Sequence, residues 1–243
     1  LHRLIRRQRQ MCIRDRYYVS SLIEKIYSLV IRKILSFYTK SIIQYSKKYG
    51  IWKFKGVFPY KYTISGELLS KILSILKRLI IERGLRLNVI EIGAGSGNLL
   101  KSIYNLNTYL VATDISWLSC VNTLLNLGYK IDVVCGDSAE MIKQGKFDIA
   151  YSNPPYMRCR PRDIVEYSYC GGVDLEIYRR IILSCFKTAK NGIIIFTNSK
   201  RLSGIEFSSK FFPNIICKPI LTSNIIGIEG VKVHVCRYIG KYF

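Results

Sequence analysis

A doubly wound α/β domain on a mostly parallel sheet is the fold class this sequence predicts. Three observations carry it. From Leu87 onward, apolar strand-like runs alternate with helical patterns; the first run, VIEIGAGSGNLL (Val89 to Leu100), ends in an acidic residue and opens into a glycine-spaced turn; and a later run, FDIAYSNPPY (Phe147 to Tyr156), ends in Asn-Pro-Pro-Tyr. Strands separated by helices place parallel neighbours in one sheet and helices on its faces.

The elements follow in order. Residues 6–15, RRQRQMCIRD, look like a translated sequencing adapter rather than a native basic arm, with Arg16 at the junction. Residues 1–16 are therefore set apart, and the native start is expected upstream. Residues 17–55 read as a basic amphipathic helical extension. Leu22, Ile23, Ile26, Leu29, Val30, Ile34 and Leu35 fall at helical spacing, and Gly50 stops the pattern. This is one long helix or two short ones. Its basic face suits RNA or a membrane surface, and its apolar stripe suits packing on the domain.

Residues 56–243 form the main domain. Ser65 is placed to cap a helix running to about Arg83, with Gly84 as its stop. Strands are predicted at 87–92, 109–114, 131–135, 147–152 and 192–197, with weaker ones at 214–221 and 231–238. Helices are predicted at 97–104, 116–127, 138–144 and 175–189.

The formal net charge is +22, and residues 1–16 hold six Arg and one Asp of it. About +17 remains without them, which fits a nucleic-acid or ribosome-associated partner and equally a lysine-rich composition with solvated faces. No apolar run is long enough to span a bilayer. Beyond Cys12, cysteines stand at 120, 135, 159, 170, 185, 217 and 236, with no C-x-x-C pair. That spacing gives no support for a zinc ribbon or a thioredoxin-type motif. In apolar runs free cysteine behaves as a small hydrophobe, so a reduced, cytoplasmic protein is expected.

Two sites stand out. Glu91 ends the first core strand, and Gly93, Ala94, Gly95, Ser96 and Gly97 lead into a helix, where free N–H groups and bare backbone can approach a ligand. Asp114, in VATDIS, closes the next strand and is placed to accept from two ribose hydroxyls. Asp137, in VVCGDSAEMI, follows the third strand, where it can cap a helix at 138–144. In the second site, Pro154 and Pro155 stiffen the chain. The Asn153 side-chain oxygen and the Pro154 carbonyl can then converge on one NH2 group and accept both its hydrogens, while Tyr156 offers a face for stacking. Neither a metal nor a covalent nucleophile is required.

The pair of motifs resembles the class I S-adenosylmethionine-dependent methyltransferases that modify an NH2 nitrogen. That resemblance implies a Rossmann-like, seven-stranded sheet closed by a C-terminal antiparallel hairpin. It implies S-adenosylmethionine as cofactor, with the acidic Glu91 near its amino-acid end and Asp137 at its adenine. Thr63, Ala94, Ile115, Ser138 and Asn153 join Glu91, Gly93, Gly95, Gly97, Asp114 and Asp137 as its expected neighbours. The segment VFPYKYTISGELL (residues 57–69), through Pro59, Thr63, Leu68 and Leu69, is similar to that of HemK-like protein-glutamine methyltransferases. CGGVDLEIYRRII (Cys170 to Ile182) looks like that family's Gly-Gly segment, although its usual glycine after Asp174 is absent.

The likeness covers residues 56–238 and is nearest the eukaryotic and archaeal branch acting on the Gly-Gly-Gln loop of release factors. It implies a release factor as substrate and a small zinc-binding activator on strand 131–135, expected at the sheet edge. An RNA methyltransferase contacting RNA or the ribosome through the basic helix is the alternative. A DNA adenine methyltransferase fits less well, because 157–190 is short for a target-recognition domain. A domain that only binds the cofactor or a partner is disfavoured by the intact loop.

Overall fold

The computed structural model describes residues 26–41, 43–47, 50–58, 63–205, 215–223 and 230–238. The adapter-like segment, Leu22, Ile23 and Pro59 lie outside them. Two compact units divide the chain at residues 34 and 35. In the first, residues 26–34 are helical; in the second the same helix, α1 (26–41), ends at residue 41.

The reading of 17–50 as wholly helical is corrected here. After α1 the chain forms a small antiparallel hairpin, β1 (Gln44–Ser46) with β2 (Ile51–Lys53), paired Gln44 to Lys53 and Ser46 to Ile51. Gly50, expected to stop a helix, turns this hairpin at a φ of +61°, a left-handed conformation that glycine adopts freely.

Helix α2 (Ile64–Glu82) follows, with Thr63 rather than Ser65 at its N-cap; Ser65 is buried inside the first turn. The main sheet and its helices then run β3 (Leu87–Ile92), α3 (Asn98–Ile103), β4 (Thr108–Asp114), α4 (Trp117–Leu127), β5 (Asp132–Cys135), β6 (Ile149–Ser152), α5 (Glu176–Thr188), β7 (Ile193–Ser199), α6 (Lys200–Ser203), β8 (Ile215–Thr222) and β9 (Val231–Tyr238). Their order across the seven-stranded sheet is β5-β4-β3-β6-β7-β9-β8. The first five are parallel, and β9 pairs antiparallel with both β7 and β8. The predicted architecture therefore holds, with β5 at one edge.

One predicted helix is absent. Residues 138–144 form turns, and Ser138 sits at a φ of +55°. Only eight residues separate Gly136 from Gly145, and a left-handed residue at the first helical position breaks the nucleus a short helix needs. Asp137 is consequently no helix cap.

Alternation along the strands divides the core in two. Val89, Leu110, Ala112, Tyr151 and Ile195 face a cluster with Leu69 and Leu73 of α2 and Leu100 of α3. Ile90, Val111, Ala150, Ile194 and Phe196 face the other, with Tyr178, Ile182 and Cys185 of α5. The cysteines depart from expectation. Cys120 pairs with Cys135, Cys159 with Cys170 and Cys217 with Cys236, at Cα separations of 6.1, 5.0 and 4.1 Å; Cys185 is free and buried. Tertiary register makes these pairs, for example Cys217 opposite Cys236 in β8–β9, so spacing along the chain could not reveal them. No helix among the described residues is long and apolar enough to cross a membrane.

Candidate active site

The C-terminal ends of β3, β4 and β6 meet at one cavity, where ligands bind in sheets of this kind. From β3 come Glu91, Gly93, Ala94 and Gly95; from β4 and its loop, Asp114 and Ile115; from the turn after β5, Asp137 and Ser138; from the end of β6, Asn153, Pro154 and Pro155; and Thr63 lines it from the start of α2. Twelve of the fourteen candidate site residues thus share one cavity. Gly97 and Tyr156 do not. Gly97 is buried against Leu127 and Thr123 of α4, and the Tyr156 ring packs against the second core cluster.

The glycine turn is held by the neighbouring strand. Gly93 and Ala94 both donate their N–H groups to the Thr113 carbonyl, at 2.8 and 3.0 Å. Gly95, at a φ of +59°, turns its N–H onto Asp114 Oδ2 at 2.9 Å. Asp114 Oδ1 accepts the Ser116 N–H, also at 2.9 Å. The Ser119 side chain also bonds the carboxylate, which leaves lone-pair capacity for a ligand hydroxyl. Burial raises the Asp114 carboxyl above its usual range, although the Ser116 and Gly95 N–H groups oppose the shift.

Glu91 is deeper, with 1% of its surface exposed. The Tyr151 hydroxyl donates to its Oε2 at 3.2 Å. Burial pushes its carboxyl well above the ordinary glutamate value, and the nearby Asp114 charge adds to the effect. A cation placed against it would restore the charged form. Asp137 is engaged differently: Oδ1 accepts the Ser138 hydroxyl at 2.9 Å, and Oδ2 pairs with Arg180 of α5 at 3.0 Å.

Asn153 follows the last residue of β6, and the Thr197 hydroxyl donates to its Oδ1 at 2.6 Å. The loop beyond is clamped from Cys170 to Gly172. Gly171 donates to the Met157 carbonyl at 2.7 Å and accepts from Ile177 and Tyr178 at the start of α5. A Cβ on Gly171 would sit 2.4 Å from the Pro155 oxygen, so only glycine allows this approach. The turn left open by the missing glycine after Asp174 is made by Leu175 itself, at a φ of +61° and fully buried.

Sequence reading missed the outer wall. Phe58, Ile164, Tyr167, Ser168 and Arg180 line the cavity; Phe58 and Arg180 fall in the segments 57–69 and 170–182 without being singled out there, and the other three lie in no motif. Residues 51–58 arrive there as a strap on α4. Asn126 accepts the Trp52 N–H at 2.8 Å, and Asn122 accepts the Phe54 N–H at 2.9 Å. The 158–170 loop is braced by Glu166, whose carboxylate takes the Arg162 N–H and Nε, both at 2.9 Å, and by Lys40 of α1 on Asp163 at 2.6 Å.

No family model matches the sequence, and no curated protein does. Solved structures share the fold. A candidate RNA methyltransferase from Pyrococcus horikoshii superposes over 86% of this chain and 96% of its own, with a TM-score of 0.54 and 18% identity. The T. thermophilus 16S rRNA N2 methyltransferase RsmC, solved with AdoMet and guanosine, has a TM-score of 0.53 and 16% identity over 81% of this chain and 50% of its own. The E. cuniculi Mtq2–Trm112 complex, responsible for methylation of the termination factor eRF1, has a TM-score of 0.49 and 16% identity over 68% of this chain and 94% of that one. The last falls below 0.5 and carries no weight for this chain. The fold is that of S-adenosylmethionine-dependent methyltransferases.

Proposed function

We propose that this protein is an S-adenosylmethionine-dependent N-methyltransferase of the HemK-like kind, acting on the glutamine side-chain amide in the Gly-Gly-Gln loop of a peptide-chain release factor. One observation carries the reading. Asn153, Pro154 and Pro155 end β6 on the same cavity as Glu91, Gly95 and Asp114, so a nitrogen-presenting loop and a nucleoside-sized cradle share one space. The residues fit the cofactor: Asp114 lines the cavity as an acceptor for the ribose hydroxyls, buried Glu91 gains its charge beside an ammonium, and Asp137 with Ser138 serves the adenine end. When bound, S-adenosylmethionine supplies an electrophilic methyl on a sulfonium.

The chain does the rest by placement. The Asn153 side-chain oxygen and the Pro154 carbonyl accept the two hydrogens of the substrate NH2 and aim its lone pair at the methyl carbon, and orientation lowers much of the barrier. The substrate nitrogen would take the methyl from sulfur and would lose one proton as the new bond replaces the old. The two acceptors stabilise the positive charge that develops on nitrogen.

The outer wall favours a neutral, slender amide. Arg180 is the only cation among the described cavity-lining residues, and Asp137 holds it, whereas Phe58, Ile164 and Tyr167 offer apolar contact. A second reading has its own support: Arg158 and Arg160 stand exposed directly after the catalytic loop, where they could meet RNA phosphates, and the P. horikoshii and T. thermophilus proteins described above are named for RNA. An RNA amino group is then the target, with the 17–55 extension as a further contact.

The test is side-by-side incubation of the enzyme and labelled cofactor with release factor, ribosomal RNA and transfer RNA. Label in the release factor, lost on Gln→Ala in its Gly-Gly-Gln loop, is expected. Label in RNA alone rejects the glutamine assignment, and RNA binding should then weaken steeply with salt.

A small zinc-binding activator is the partner we assign to β5. That edge strand leaves a ladder unpaired, and Tyr109 on β4, 54% exposed, donates its hydroxyl to Asp132 of β5. A protein purified alone that is monomeric and fully active would exclude an obligate activator.

A further inference from the structure

We propose that Thr197 is the positioning residue of the catalytic loop, its hydroxyl fixing the Asn153 amide so that the acceptor oxygen is presented to the substrate nitrogen. The proposal rests on the catalytic reading of Asn153 given above.

The sheet creates the juxtaposition. β6 and β7 run parallel, and their ladder pairs Ile149 with Ile193 through to Ser152 with Phe196. One residue beyond the last pair brings Asn153 beside Thr197. Thr197 is fully buried, so its hydroxyl would be costly there without a partner. The hydroxyl donates to Asn153 Oδ1 at 2.6 Å, a short, well-formed bond. Asn153 itself is only partly buried and lines the cavity with Pro154 and Pro155.

An asparagine amide rotates about a broad, roughly two-fold torsion. With the wrong face forward it would offer N–H donors to a substrate that also brings N–H donors. A hydrogen delivered to Oδ1 by a rigid strand fixes the rotor and occupies one of the two lone pairs. The second lone pair remains for the incoming NH2. The Pro154 carbonyl, on a proline-stiffened backbone, needs no such brace. Thr197 reaches the reaction only through Asn153.

The experiment compares Thr197→Val, which keeps the shape and removes the donor, with Thr197→Ser, which keeps the donor. Steady-state methyl transfer is measured on whichever of release factor, ribosomal RNA and transfer RNA the wild-type protein labels. Thr197→Val should lower kcat roughly ten- to a hundredfold, the range found when the group orienting a functional side chain is removed. Its KM and its S-adenosylmethionine affinity should stay at wild-type values, which also shows that it folds. Thr197→Ser should recover most of the rate. An unchanged kcat in Thr197→Val, or a serine variant no better than the valine one, overturns the proposal.

Side-chain amide NMR reads the same bond without turnover. The Asn153 NH2 signals, identified by their loss in Asn153→Ala, should shift or broaden in Thr197→Val and stay in place in Thr197→Ser. Unmoved signals in Thr197→Val overturn the proposal even if no substrate in the panel is labelled. The underlying reading fails separately, through an Asn153→Ala protein that retains near-normal kcat, since loss of one such contact is expected to cost on the order of 10²–10³ in rate.

Discussion

Glu91 and Tyr151 stand opposite each other in the ladder between β3 and β6, and the Tyr151 hydroxyl donates to Glu91 Oε2 at 3.2 Å. Both are buried, and burial holds the Glu91 carboxyl well above its ordinary value. Between those two values the folded chain retains a proton that the unfolded chain has released. Stability from this group is therefore present below the ordinary glutamate value and is lost as pH rises through the raised one. Glu91→Gln removes that loss and still accepts from Tyr151. At neutral pH the free variant should be more stable than wild type, and the gap should close on acidification. Cofactor affinity should fall by roughly 1.5–3 kcal/mol, as expected for a bond to a charged group. Melting curves with and without S-adenosylmethionine across pH 5–8 check both. A variant that melts lower and binds normally would remove Glu91 from the cofactor site.

Asp114 has two duties that one substitution separates from its neighbours. Its oxygens take the Gly95 and Ser116 N–H groups at 2.9 Å each, and its spare lone pairs face the cavity. Asp114→Ala should weaken S-adenosylmethionine binding by roughly 1–3 kcal/mol, because polar partners on both sides lose their acceptor. Calorimetry is the measurement, and unchanged affinity would contradict the ribose assignment.

Leu175 poses a contest between strain and packing. Its φ of +61° is glycine's territory, yet its side chain is fully buried in the cluster with Tyr178 and Ile182. Left-handed backbone costs a non-glycine residue about 1–2 kcal/mol. Removing a buried leucine side chain costs about 2–5 kcal/mol. Packing wins, so Leu175→Gly should destabilise by roughly 1–3 kcal/mol. Urea denaturation that shows the glycine variant to be the more stable would reverse that ranking.

These residues also mark what a linear sequence discloses. The strands of the sheet were legible because Val89–Ile92 and Ile149–Ser152 are nearly unbroken apolar runs, the signature of strands covered on both faces. Glu91, Asp114 and Asn153 were legible because each sits where a strand ends, a position that sequence marks. Three kinds of feature were hidden. Turn 138–144 carries a helix-like pattern, and Ser138's positive φ has no sequence signal. The hairpin at 44–53 was masked by a periodicity that α1 begins and Gly50 ends. Thr197, Arg180, Tyr167 and the cysteine pairs act through contacts fixed by register between strands or by packing between loops, distances that local pattern does not encode.

Lys53 offers a last measurement with a definite sign. It is fully buried on β2, and its Nζ donates to the Tyr38 and Thr39 carbonyls at 2.7 and 3.0 Å, closing the end of α1. Burial pushes its ammonium down to about 8, from the ordinary value of 10.5. Within that window the unfolded chain carries a proton that the folded chain has lost, so folding gains stability as pH rises. Lys53→Met keeps similar bulk without a titrating group, and subtracting its stability cancels the other titrations. The wild-type minus Lys53→Met difference should climb with pH between these values by at most about 1.4 kcal/mol per unit. Chemical denaturation at intervals across that window reads the slope. A flat difference would mean that the Lys53 amine keeps its charge when the chain folds, and a falling one would mean that the two carbonyls hold the ammonium more strongly than burial opposes it.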